Sequence, residues 1–165
     1  MMGRAWHRIR QFFGALRPRV TADERREAYR WLTDAERGLF ETMMLRDQQH
    51  GIIVLRRVRQ ASAGDDAPLF AAALLHDCGK GEVALWQRVA HVALAAFWPR
   101  LDARIATKAG SGWRRAFWRL RYHPDIGADL AVRAGSDAET VRLIREQDAP
   151  RADERLAMLQ AADDA

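Results

Sequence analysis

The segment AAALLHDCGKGE, residues 71–82, constrains the fold more than any other stretch of the chain. It runs small and apolar, then presents His76, Asp77, Cys78, Gly79 and Lys80 in succession. Burying an unpaired carboxylate costs several kcal/mol, so such groups occur paired or bound to metal. A fold that accepts this segment has to supply something that offsets the desolvation of His76 and Asp77.

Helical periodicity dominates the rest of the chain, and no convincing alternating strand pattern appears. The Pro, Gly and Ser/Asp clusters divide the chain into helices rather than domains. Helices are expected near 5–16, 23–45 (broken at Thr33, a good N-cap), 48–61, 67–77, 82–106, 113–121, 125–134, 137–147 and 152–164. Gly135 with a Ser136 N-cap is expected to join two of them, and Asp153 to lie in the first turn of the last. This predicts an all-α, single-domain helical bundle. Residues 1–38 read as a basic amphipathic extension and 39–165 as the domain proper.

The length of 165 residues suits one domain with a sizeable core. The single cysteine, Cys78, excludes an intramolecular disulfide and a cysteine-based zinc cluster, and suits a reducing cytosol. No cleavable leader and no apolar run of membrane-spanning length is evident, so a cytoplasmic location is expected. The net charge of +5 and a pI near 10.3 favour anionic partners. Residues 1–20 hold five arginines and no acid, and 100–121 is almost wholly basic among its charged positions. Only Lys80 and Lys108 are lysines in this Arg-rich chain, which makes a lysine beside the His-Asp pair informative.

Titratable groups on apolar helix faces are the informative ones. His50 shares a face with Ile53, Val54 and Val58, and His76 follows Leu69, Ala72 and Ala73. Asp77 follows Phe70, Ala73 and Leu74, and Asp163 follows Leu156 and Leu159. Its neighbour Asp164 is rotated about 100° away. Three helices therefore aim His50, His76/Asp77 and Asp163 toward the core. Taken singly, each is more often a hydrogen-bonded core residue or a cap. Together, two imidazoles and two carboxylates make a nitrogen and oxygen donor set suited to Mn, Fe, Co, Ni, Zn or Mg.

The elements DQQHGIIVLRRV, LLHDCGKGE, RYHPDIGADLA and RLAMLQAADDA, in that order over roughly residues 40–165, resemble the HD superfamily of metal-dependent phosphohydrolases. The HDxGK and HPxxGA elements are similar to those of its HD-GYP-type branch, including the short HDIG-domain proteins. The resemblance implies an all-helical HD-type bundle in which His50, His76, Asp77 and Asp163 coordinate one divalent cation. It also implies hydrolysis of a phosphate ester, such as a nucleotide, by a metal-activated water. Asp77 would orient that water, and Lys80 would contact the substrate phosphate as a point charge. His123, just before Pro124 and so outside the helix, matches a position that helps hold a second metal in dinuclear relatives; as a plain side chain it would cap the 125–134 helix.

The chain departs from that pattern in two places. Gln147 and Asp148 stand where dinuclear relatives carry a histidine pair, although Asp148 could add an oxygen ligand. The GYP loop is absent, which disfavours cyclic-dinucleotide hydrolysis. An alternative follows: a non-catalytic or regulatory module on the HD scaffold, binding a partner or an anionic membrane surface. Residues 83–121, with four of the six tryptophans among many basic residues, read either as a core helix followed by a basic surface helix or as a peripheral membrane surface. Nucleic acid fits on charge grounds alone, with no recognition motif to support it. Gly79 is expected to end its helix in a left-handed conformation, and Cys78 to pack against neighbouring helices.

Overall fold

Ten helices and no strand are present among residues 18–150 and 153–165, the residues that this computed structural model describes. They are α1 (Ala22–Tyr29), α2 (Asp34–Glu41), α3 (Leu45–Ala61), α4 (Ala67–Leu75), α5 (Leu85–Phe97), α6 (Pro99–Ile105), α7 (Trp113–Arg121), α8 (His123–Arg133), α9 (Ala138–Arg145) and α10 (Glu154–Asp163). The helix expected at 5–16 lies outside the described residues. No helix among the described residues is long and apolar enough to cross a membrane.

The first half of the fold obeys its local signals. Thr33 caps α2 through a reciprocal capping box with Glu36, which splits the 23–45 stretch where the sequence predicts. Asp66 accepts from the Leu69 N–H and Pro68 occupies the first turn, so α4 starts where its apolar run starts. Every residue of α4 from Leu69 to Leu75 is buried. The helix is apolar all round and accordingly lies at the centre, against α3, α9, α10 and α2. Ile52, Leu55 and Val58 of α3, Leu143 and Ile144 of α9, and Leu156 and Leu159 of α10 complete the core, with Ala28 and Leu32 packed into it. Each such Leu or Ile contributes about 1.5–3 kcal/mol by leaving water.

Gly51 decides how close the two central helices come. A Cβ there would lie 2.7 Å from the Leu74 carbonyl oxygen, so only glycine lets α3 rest on the α4 backbone. That approach also sets the neighbouring His50 opposite the end of α4.

Several expected boundaries shift. The single helix expected over 82–106 is two, because Pro99 excludes its predecessor from helical backbone and Trp98 sits at φ −139°. Asp137 rather than Ser136 caps α9, and Asp153 caps α10 with its carboxylate on the Leu156 N–H instead of lying in its first turn. α4 ends at Leu75, two residues early, and tightens into i→i+3 turns: Cys78 N–H to Leu75 O at 2.9 Å and Lys80 N–H to Asp77 O at 3.0 Å.

Candidate metal centre

The tight turns after α4 build the site. Residues three apart eclipse in such geometry, and Lys80 accordingly lies over Asp77, its Nζ 2.7 Å from Oδ2 and 2.6 Å from Oδ1. Gly79 is not left-handed; the positive φ, 61°, belongs to Gly81. Gly79 is needed for close approach instead. A Cβ there would overlap the His123 carbonyl oxygen and sit 2.7 Å from the Gly127 nitrogen, so the turn packs directly on the start of α8. Cys78 is buried beside it with its thiol toward the Gly127 carbonyl, and burial pushes the thiol up to about 12. Such a thiol is a packing group, not a nucleophile.

The four groups expected to converge do so, from three elements. His50 Nε2 lies 2.6 Å from Asp163 Oδ1, and His76 Nε2 lies 3.5 Å from that same oxygen and 3.4 Å from Asp77 Oδ1. Donor atoms of His50, His76 and Asp77 all fall within 4.8 Å of one another, and Asp163 joins them through the two imidazoles. Ligands about 2.1 Å from a common ion stand about 3.0–3.4 Å apart, close to the His76 spacings.

The polar bookkeeping fits a cation. His76 Nδ1 donates to the Ala73 carbonyl at 3.0 Å, which leaves the Nε2 lone pair facing the cluster. His76 and Asp77 are 1% and 2% exposed, yet His76 Nε2 makes no hydrogen bond among the described residues. The Lys80 ammonium lies within hydrogen-bond distance of both Asp77 oxygens and partly neutralises that carboxylate. A buried imidazole nitrogen left without a hydrogen bond beside two carboxylates is what a metal ion would satisfy.

The charges balance one another as well. Burial works to raise the Asp77 carboxyl, but His76, Lys80 and His123 outweigh it and hold the group well below the usual carboxylate range. Asp163 is likewise held low against its own desolvation by His50 and His76. Burial works to lower His76, and Asp77 and then Asp163 override it and raise the imidazole above its ordinary value.

The inward reading holds fully only for the His-Asp pair. Asp163 stays 42% exposed at the last turn of α10, and His50 is half-buried beside an exposed Ile53. These two line the wall of an open cleft of about 620 Å³ rather than the core. The reason is their place at the rim of α3 and the end of α10, where no further helix among the described residues covers them.

His123 is the first residue of α8, inside the helix instead of outside it, because Pro124 tolerates a second helical position. It does not cap that helix: its Nδ1 donates back to the Leu120 carbonyl at 2.8 Å. Its Nε2 lies 3.7 Å from Asp77 Oδ1. Burial, then Lys80, lower its pKa. Asp148 is exposed, with no ion pair or hydrogen bond among the described residues. Gln147 donates its amide to the His76 and Ile144 carbonyls at 2.9 Å each, so it braces the His-Asp turn from behind.

Sequence reasoning singled out Lys80 and expected nearby arginines without identifying those at the cleft mouth. Arg46, Arg57 and Arg88 line it together with Lys80. Arg88 is bidentate to the buried Asp47, with both N···O distances 2.7 Å, which ties α5 to α3. Arg46 Nε and Nη1 are buried without a hydrogen-bond partner among the described residues. Its spacing was legible: Arg46 precedes His50 by four positions on one helix, and so shares its face.

Comparison of the chain with family models, with curated proteins and with solved structures finds no match in any of the three.

Proposed function

We propose that the protein is a metal-dependent phosphohydrolase of the HD type, acting on a phosphate ester such as a nucleotide. His50, His76, Asp77 and Asp163 hold one divalent cation. The reading rests on one observation above the others: donor atoms of His50, His76 and Asp77 lie within 4.8 Å of one another, and the buried His76 Nε2, without a hydrogen bond among the described residues, is 3.5 Å from Asp163 Oδ1. A divalent cation held there supplies Lewis acidity toward a phosphoryl oxygen and a lowered pKa for a bound water.

The chain's own groups do the rest. Asp77 accepts a hydrogen bond from the attacking water and fixes its direction. Lys80, with Arg46 and Arg57 at the cleft mouth, neutralises charge on the phosphoryl oxygens. Arg88 is already committed to Asp47 and serves to hold α5 beside the cleft.

The test is hydrolysis of a panel of phosphomonoesters and phosphodiesters with Mn, Co, Ni or Mg, alongside elemental analysis of wild type and His50→Ala purified without added metal. Metal-dependent turnover that Asp77→Ala abolishes is expected. Failure with every metal, or turnover indifferent to Asp77→Ala, rejects the reading. Gln147 favours a second one, a regulatory module without catalysis, because its amide is spent on backbone carbonyls where a second-metal ligand would stand. Stoichiometric metal with no turnover on any substrate would support that alternative.

A further inference from the structure

Helix α5 is out of keeping with its composition. Ten of its thirteen residues, LWQRVAHVALAAF, are apolar, and none is buried. Trp86, Val89, Ala93 and Phe97 recur at helical spacing and form one stripe, which Val92 and Ala96 widen to an arc of about 140°. Phe97 is 73% exposed, and Trp98, Leu101 and Trp113 in the following segments are exposed too. Surface apolar residues scattered singly need no explanation, but a continuous stripe of this kind marks an interaction site.

The face is preformed. Helices α5, α6 and α7 pack on one another around a small core of Val83, Ala116 and Leu120. Asp102 lies at their junction with no exposure, 2.8 Å from His91 Nδ1 of α5 and 3.0 Å from Arg121 Nη1 of α7. Asp102 is also the only acidic residue between 83 and 121, a stretch with eight basic ones. The surface of this unit therefore presents aromatics, aliphatics and cations with no exposed carboxylate.

We infer that the α5–α7 unit docks on an anionic lipid surface, with the Trp86–Phe97 stripe in the headgroup and acyl boundary and Arg100, Arg104 and Arg115 on the lipid phosphates. Interfacial helices combine an apolar face, aromatic residues and surrounding cations in this way. A second copy of the chain fits worse, because an isologous contact through this face would oppose cations to cations. A polynucleotide offers phosphates to the arginines but nothing to the aliphatic part of the stripe. The inference does not depend on the metal centre.

The test is flotation of the full chain with phosphatidylcholine vesicles, with and without phosphatidylglycerol, on wild type and two variants. One variant is Trp86→Ser/Phe97→Ser/Trp98→Ser. The other is Arg100→Gln/Arg104→Gln/Arg115→Gln, three exposed residues that make no ion pair among the described residues. Wild type is expected to float only with the anionic vesicles. At roughly fivefold per surface cation, the arginine variant should lose about a hundredfold in partitioning, and the aromatic variant at least about tenfold. Circular dichroism of both variants should match wild type, since only exposed positions change. Equal binding to neutral vesicles, or binding unchanged in both variants, overturns the inference. So does an absence of flotation, after which a dimer that the aromatic variant abolishes or steeply salt-dependent binding to an oligonucleotide would name the occupant instead.

Discussion

Helices α4 and α5 are both apolar, yet one is wholly buried from Leu69 onward and the other has no buried residue. The difference lies in what surrounds them. α4 is short, rich in alanine and flanked by four helices, with Gly51 letting one of them touch its backbone. α5 packs chiefly on α6 and α7, which are themselves strongly basic, is tied to α3 through Arg88 and Asp47, and projects its aromatic side away from the core. Apolar composition therefore marks a helix for burial without saying in what. For α4 the answer is the protein; for α5 we infer a lipid surface.

Substitutions should separate the two regions in order of size. Gly79→Ala forces a Cβ into the α8 backbone beside the His-Asp turn and should cost about 4 kcal/mol in urea unfolding. Leu74→Ala, at the fully buried centre, should cost about 3 kcal/mol by the same measurement. Asp102→Ala should cost about 2 kcal/mol, less than breaking a fully buried pair because Arg121 can turn to water. Its effect should be local, with faster hydrogen exchange in α5–α7 and unchanged exchange in α4. Val92→Ala, on the exposed stripe, should fall within about 0.5 kcal/mol of wild type. A loss at Val92 comparable to that at Leu74 would mean that α5 is part of the core after all, and the contrast would fail.

The site was largely legible before the fold was known. His50, the His76–Asp77 pair and Asp163 stood out because each interrupts an apolar face, and the structure brings their donor atoms within a few ångströms. Less legible was which of them would be buried. Only His76 and Asp77 are, since their turn is covered by α8 and braced by Gln147, whereas His50 and Asp163 border the cleft. Gly79 was singled out for the wrong reason: its small size matters because a neighbouring backbone crosses it, a fact held by residues far along the chain. Arg46 was passed over because a surface arginine in a basic chain carries no signal until its guanidinium is seen buried without a partner.

By itself the sequence determined the helical class, the split at Thr33, the burial of α4 and the identity of the groups that converge. Those follow from local periodicity, caps and the cost of a charge on an apolar face. Tertiary structure alone decided that the Gly79 turn packs on α8, that Gln147 braces it from behind, and that the aromatic stripe of α5 is left exposed. These depend on which elements find neighbours and which run out of them, and neighbours distant in sequence leave no trace in local pattern.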